Sequence, residues 1–349
     1  MRLQGGGQVG KYLVTGGAGF VGSNLALALA NRGDTVLIVD NLSRAGSLQL
    51  RNPVFKAALE TGKVTFREFD ITRDYWSPIF AGQDIDGVFH LAAQLGNQRS
   101  QQNPAEDAMS NIIGTIRLLE AVSEAYYLNP HVVMTTSVCA RESASEYPFS
   151  ETTGILPTTP YGLSKLVAAE YCSLFSALRG VSCGIARLFN VYGPGDIRYP
   201  LIESNVIPLW LSDIFVAGTE AIYLYGEGST RDYIYVDDVV NALLHMMDKR
   251  VTDIVNVGTG IGTSNKDLAT GLLTAVAQVA PEFENISYLV LESRKWDGDA
   301  QRIADISRLR WGLRCPPTTS LTEGLRKTVE WWKTHEKEMQ AYWNFGLMI

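Results

Sequence analysis

Lys11-Tyr12-Leu13-Val14-Thr15-Gly16-Gly17-Ala18-Gly19-Phe20-Val21-Gly22 is the stretch that decides the fold. Its first five residues read as a buried strand, its glycines as a loop, and Asn24-Leu25-Ala26-Leu27-Ala28-Leu29 as a helix ending at Arg32-Gly33. A second apolar strand, Thr35-Val36-Leu37-Ile38-Val39, ends on Asp40. Strand, glycine loop, helix, strand and acid in this order set the motif apart from a tight turn in an ordinary βαβ unit. Gly16, Gly19 and Gly22 let the backbone approach a pyrophosphate, which would rest on amide groups at the positive end of the helix. Asp40 lies 18 residues past Gly22, where a carboxylate can accept hydrogen bonds from an adenosine ribose. Its charge would repel a 2′-phosphate, so the pattern favours NAD over NADP.

The alternation continues outward. Val64–Phe69 reads as a strand leading to Asp70, and Gly87-Val88-Phe89-His90-Leu91 as another leading into Ala92-Ala93. A helix is predicted from about Pro104 to Tyr127, a fifth strand over His131–Thr136, a helix from Pro160 to Arg179 stopped by Gly180, and a strand over Val181–Phe189. Repeated βα units with buried strands imply an α/β fold, a doubly wound parallel (Rossmann) sheet. Ligands of such sheets sit at the carboxyl ends of the strands, so Asp70, Ala92, Ser137 and Asn190 should share one crevice. After about residue 190 the pattern loosens. The expected organisation is a dinucleotide-binding domain over 1–187 and a smaller α/β substrate lobe over 188–349, with a segment near 232–257 returning to the first domain. Trp331-Trp332 and Tyr342-Trp343 should pack a terminal helix onto the body.

Composition excludes several function classes. At 349 residues the chain is long for one compact core, and 46% apolar with 19% charged residues is an ordinary globular composition. A net charge of −7 without a basic run argues against a nucleic-acid partner. No apolar run reaches membrane-spanning length, and nothing near the start reads as a signal peptide. Cys139, Cys172, Cys183 and Cys315 show no paired spacing, which fits a reducing compartment, most simply the cytoplasm. His90, His131, His245 and His335 stand in or near apolar segments, and their spacing is that of neither a zinc site nor a base for Ser137.

The chemistry centres on Pro160-Tyr161-Gly162-Leu163-Ser164-Lys165. Tyr161 and Lys165, four apart, lie on one helix face. A free phenol has a pKa of about 10 and is a poor base at neutral pH, and a neighbouring ammonium favours the phenolate. On its own this spacing also describes an amphipathic helix with a partly buried tyrosine. Ser137, closing strand five in Met134-Thr135-Thr136-Ser137, could hydrogen-bond a substrate oxygen that Tyr161 also touches. The arrangement suits moving a hydroxyl proton while hydride passes to or from a nicotinamide.

These motifs resemble the extended short-chain dehydrogenase/reductases, specifically NAD-dependent nucleotide-sugar epimerases and dehydratases. The likeness runs from about Lys11 to Trp332 through Thr15–Gly22, Asp40-Asn41-Leu42-Ser43, His90-Leu91-Ala92-Ala93, Asn111 before Gly114-Thr115, and Tyr161/Lys165. It continues in Arg187-Leu188-Phe189-Asn190-Val191-Tyr192-Gly193-Pro194, Arg231-Asp232-Tyr233 and Gly298-Asp299. The resemblance implies Ser137, Tyr161 and Lys165 as the catalytic trio, with Cys139 beside them. It implies an NAD site at Gly16, Gly19, Phe20, Val21, Gly22, Asp40, Asn41, Asp70, Ile71, Leu91, Ala92, Ala93 and Asn111, with Tyr161 and Lys165. It places a nucleoside-diphosphate sugar, UDP- or GDP-linked, against Gln94, Asn190, Asn205, Arg231 and Asp299. It further implies a homodimer through the helices near 105–127 and 161–179.

The residues after Ser137 discriminate between reactions. Dehydratases and decarboxylases of this family carry a Glu two places on, where this chain has Cys139 after Val138. Ser-x-Cys resembles GDP-mannose 3,5-epimerase and GDP-fucose synthase, whose partner acid aligns with Asn205; Asn is what 4-epimerases show there. Cys139 also fits as a small apolar filler. Gln94–Ser100 followed by Asn103-Pro104 resembles UDP-glucuronate 4-epimerases. C4 epimerisation is the expected activity, with C3/C5 epimerisation through Cys139, decarboxylation or dehydration, and a silent NAD-binding protein as alternatives.

Overall fold

Strands buried on both faces need continuous apolar sequence, and the helices laid over them need one apolar face. The computed structural model describes residues 9–44, 52–125, 127–140, 147–153, 157–197, 205–226, 229–292 and 301–346. The first half alternates β1 (Lys11–Thr15), α1 (Phe20–Arg32), β2 (Thr35–Asp40), α2 (Pro53–Glu60), β3 (Val64–Glu68), α3 (Ser77–Phe80), β4 (Gly87–His90), α4 (Asn97–Gln102), α5 (Pro104–Ala108), α6 (Gly114–Glu124), β5 (His131–Ser137), α7 (Pro160–Arg179) and β6 (Cys183–Leu188). Then come β7 (Asn190–Tyr192), α8 (Val206–Phe215), β8 (Ala221–Tyr225), β9 (Thr230–Tyr235), α9 (Val236–Asp248), β10 (Ile254–Val257), β11 (Gly262–Ser264), α10 (Asn265–Val279), β12 (Ser287–Leu291), β13 (Gln301–Arg302), α11 (Leu321–Thr334) and α12 (Glu336–Gly346).

A seven-stranded sheet runs β10-β6-β5-β4-β1-β2-β3, with every pairing parallel. Strands 2 and 3 extend from β1 to one side and strands 4 to 6 to the other. The loops after β1 and β4 therefore diverge and leave a crevice at the carboxyl ends. This is the doubly wound sheet that the alternation predicts. β10 arrives from late in the chain and pairs with β6, Val255 opposite Ala186. α9 leads into it and buries Val239, Leu243 and Met246 in the same core as Val14, Phe89 and Val133.

A second core gathers Tyr192, Trp210, Ile222, Leu272, Leu325, Trp332 and Tyr342. Trp332 and Tyr342, on α11 and α12, are 1% and 2% exposed and pack these helices onto the body, with Trp331 partly buried beside them; the Trp343 side chain lies outside what is described. Among the described residues, no helix is long and apolar enough to cross a membrane.

The helix predicted from Pro104 to Tyr127 is not one regular element. α5 gives way to a wide π-turn over Met109–Ile113 before α6 resumes. Such a turn is where one side chain is re-aimed, and here it carries Asn111. Gly114 follows because a Cβ there would lie 2.5 Å from Ile71 Cδ1. The glycine-rich start falls largely at residues 1–8, outside the described residues.

Candidate active site

The glycine loop sets the floor of the crevice. Gly16 has φ +69, and a Cβ on it would meet the Ala92 backbone nitrogen at 2.6 Å; a Cβ on Gly22 would meet the Gly16 carbonyl at 2.4 Å. Loop, helix and the end of β4 therefore approach at distances that only glycine permits. α1 begins at Gly19 with no side-chain cap and no acid in its first turn. Its leading N–H groups stay available to an anion, helped by the helix dipole. Asp40 closes this end, its Oδ2 accepting from Ala18 N–H (3.1 Å) and its Oδ1 from Leu42 N–H (2.8 Å).

Around this floor lies a cleft of about 420 Å³. It is lined by Gly16, Gly19, Phe20, Val21, Gly22, Asp40, Asn41, Ile71, Leu91, Ala92 and Ala93 at one end. Gln94, Ser137, Cys139, Tyr161, Lys165, Asn190 and Asn205 line the other. A glycine cradle, an uncapped helix start and an acid at the second strand end fit a dinucleotide.

Three anticipated residues stand elsewhere. Asp70 turns away: its Oδ1 accepts from Thr72 N–H (2.8 Å) and Thr72 Oγ1 (2.6 Å), and its Oδ2 from Asn41 Nδ2 (3.3 Å). It caps its own turn while its neighbours Phe69 and Ile71 reach the cleft. Arg231 does not line the cleft, and its Nη1 donates to the Thr230 carbonyl (3.1 Å). Asn111 sits behind the wall, where its Oδ1 accepts from Gln94 N–H (2.8 Å) and its Nδ2 donates to the Gln94 carbonyl (3.2 Å). It orients Gln94 instead of lining the cleft itself. Asp299, and residues 141–146 of the loop after Cys139, lie outside the described residues.

The proton chemistry follows from burial. Lys165 on α7 is 4% exposed, and desolvation lowers its pKa to about 8, so it still carries its proton at neutral pH. His90, wholly enclosed, is pushed down to about 3 by burial and by Lys165, which leaves a neutral imidazole. Hydrogen-bond counting fixes its tautomer. Thr115 Oγ1 donates to the Asn111 carbonyl (2.7 Å), so it must accept from His90 Nε2–H (2.9 Å). His90 Nδ1 then accepts from Thr15 Oγ1 (2.7 Å), which in turn accepts from Ala92 N–H (3.2 Å). A neutral, fully bonded histidine leaves Lys165 as the positive charge beside Tyr161. Ser137 Oγ, at the end of β5, accepts from Cys139 N–H (3.1 Å).

This cleft sits on the sheet that comparison with known proteins also finds. Residues 12–258 match the NAD dependent epimerase/dehydratase family. The chain belongs to that family. A UDP-glucose 4-epimerase of Mycolicibacterium smegmatis is 34% identical, covering 93% of this chain and 98% of the relative. A dTDP-glucose 4,6-dehydratase of Neisseria meningitidis is 28% identical over 92% and 93%. Among solved structures, UDP-glucuronic acid 4-epimerase of Bacillus cereus, in complex with UDP-glucuronic acid and NAD, superposes with a TM-score of 0.79 at 25% identity, covering 93% and 99%. Members of this epimerase/dehydratase family thus share the fold while differing in reaction.

Among the lining residues that sequence reasoning missed are Asn97 at the start of α4 and Arg302 on β13. Asn97 lay within a noted stretch but carried no motif of its own. Arg302 reaches the cleft through β13, which pairs with β9 from another part of the chain. No local pattern marks it.

Proposed function

We propose that this enzyme inverts C4 of a nucleoside-diphosphate sugar, UDP-linked in the first instance, through a transient 4-keto sugar. The observation that carries the reading is the convergence of Ser137, Tyr161 and Lys165 on the cleft above the glycine loop, with Val138-Cys139 following Ser137. NAD, held by the glycine cradle and the residues lining that end of the cleft, would supply the hydride acceptor and donor for C4. Tyr161, its phenolate favoured by the Lys165 ammonium, takes the C4 hydroxyl proton and later gives it back. Ser137 holds the same oxygen. Gly16, Gly19 and Gly22 with the start of α1 would hold the pyrophosphate, and Asp40 the ribose. Dehydration needs an acid to protonate the departing hydroxyl, and neither Val138 nor Cys139 is a carboxyl.

Inversion through Cys139 would need a second acid across the sugar. Asn205 stands in the cleft, but its Nδ2 donates to Asp196 Oδ2 (3.0 Å), and an amide delivers no proton of that kind. Turnover of UDP-sugars in heavy water tests the choice. C4 epimerisation returns the original hydride, so the product is expected to carry no solvent deuterium. Deuterium at C3 or C5 would assign the reaction to Cys139, and bound NAD with no turnover of any sugar would favour a silent protein.

The same reading assigns the cofactor domain to 1–187 and the substrate lobe to 188–349, with the segment near 232–257 returning to the first domain. It places the protein in the cytoplasm as a homodimer. Met109, Ile113, Leu163, Leu174 and Leu178 support the homodimer, because they are 40–79% exposed on the helices concerned and offer apolar surface to a second copy.

A further inference from the structure

Beside Cys139 the cleft wall is built from donors. Thr159 Oγ1 accepts from Gly162 N–H (3.1 Å), so its own hydrogen goes to Asn97 Oδ1 (3.0 Å). That bond fixes the Asn97 amide with its NH₂ group toward the cleft, where Nδ2 lies 3.9 Å from Cys139 Sγ. Arg302 Nη1 approaches the same sulfur at 3.8 Å. A thiol sulfur is a weak acceptor, so the Asn97 amide directed at it can turn to a stronger one, and the Arg302 guanidinium brings a positive charge to the same wall. A wall of donors matches a ligand group that only accepts, and a fork-shaped guanidinium matches a carboxylate. Next to it, Gln94 is 7% exposed, and neither its Oε1 nor its Nε2 has a protein partner. One donor and one acceptor in one buried amide suit a sugar hydroxyl.

The geometry points to a sugar carboxylate: the substrate is a nucleoside-diphosphate hexuronate, with its C6 carboxylate held by Arg302 and Asn97 and a ring hydroxyl by Gln94. This rests on the C4 reading of the same cleft. Ser137, two residues before Cys139, holds the C4 oxygen in that reading. C5, which carries the carboxylate, is bonded to C4, whereas the diphosphate hangs from C1 across the ring. Arg302 meets Cys139, whose N–H donates to Ser137 Oγ (3.1 Å), so it stands on the C4 side, away from the diphosphate, where a carboxylate on C5 is the group that suits a guanidinium.

The experiment compares UDP-glucuronate, UDP-glucose and UDP alone on the wild-type NAD-loaded protein, Arg302→Gln and Asn97→Asp, by turnover and by calorimetric binding. Wild type is expected to prefer UDP-glucuronate. Arg302→Gln should lower its kcat/KM and affinity by roughly 10- to 100-fold, the factor of one charge-assisted hydrogen bond. UDP-glucose and UDP should move less than about twofold. Asn97→Asp, which sets a like charge against the carboxylate, should be selective in the same way; retained NAD content shows that each variant is folded. An equal loss for UDP alone would assign Arg302 to the diphosphate and overturn the proposal. Wild-type preference for UDP-glucose would overturn it while leaving C4 epimerisation intact. If neither sugar turns over, the C4 reading fails, and the calorimetric preference still decides the carboxylate.

Discussion

Tyr161 is a weak base made useful by its surroundings, and those surroundings are few. Lys165 keeps its charge at neutral pH although burial pulls its pKa to about 8, and that charge helps hold His90 neutral beside it. In the proposed reaction it is the phenol oxygen of Tyr161 that exchanges a proton with the sugar. Tyr161→Phe removes that oxygen and leaves the glycine loop untouched. Epimerisation is expected to fall by roughly 10²- to 10⁴-fold, the usual worth of a positioned proton-transfer group. NAD content after purification should equal that of wild type; loss of NAD along with activity would show that Tyr161 serves mainly to hold the cofactor.

At the scale of elements, the loop between β1 and α1 depends on distance more than on side-chain chemistry. Gly22 lies in the first turn of α1, and a Cβ there would face the Gly16 carbonyl at 2.4 Å and Gly17 Cα at 2.7 Å. Both are backbone atoms that cannot swing aside, so the loop or the helix start must move. Gly22→Ala is therefore expected to cost about 1–3 kcal/mol of stability, the range for overpacking. NAD affinity should fall by more than stability explains, since the displaced amides are those that meet the pyrophosphate. Thermal denaturation with and without added NAD checks this: the stabilisation by NAD should shrink along with the melting temperature.

For the whole molecule, acid is the condition that exposes how the sheet is built. His131 opens β5, fully buried, with Nδ1 on Ser182 Oγ (2.7 Å) and Nε2 without a partner. Burial, with Arg250, lowers its pKa to about 4. Between about 6.5 and 4 the unfolded chain takes up a proton that the folded chain refuses, so stability falls as pH falls through this window. The contribution is fully present above about 6.5. His131→Gln removes this proton and leaves His90 and every buried carboxyl in place. Relative to the variant, wild type is expected to lose on the order of 3 kcal/mol from pH 7 to pH 4. Paired urea titrations across that range check it; a constant difference between the two proteins would mean that His131 does not remain neutral in the fold.

The sequence by itself determined the parallel sheet, the cofactor end and the Tyr161/Lys165 helix. Each of these is written in neighbouring residues: apolar runs of strand length, glycines at fixed offsets, a four-residue spacing, and Gly180 in the left-handed conformation (φ +68) at the helix end. Local chemistry fixes local geometry, and the topology of βα units leaves the strand ends one place to converge. The tertiary structure alone decided that Asn111 braces Gln94 from behind and that Arg302 and Asn97 meet at Cys139. Those outcomes join residues 17 to 205 positions apart, where no sequence period operates. Contact there is set by how a late strand pairs with the second lobe and how a π-turn rotates one side chain.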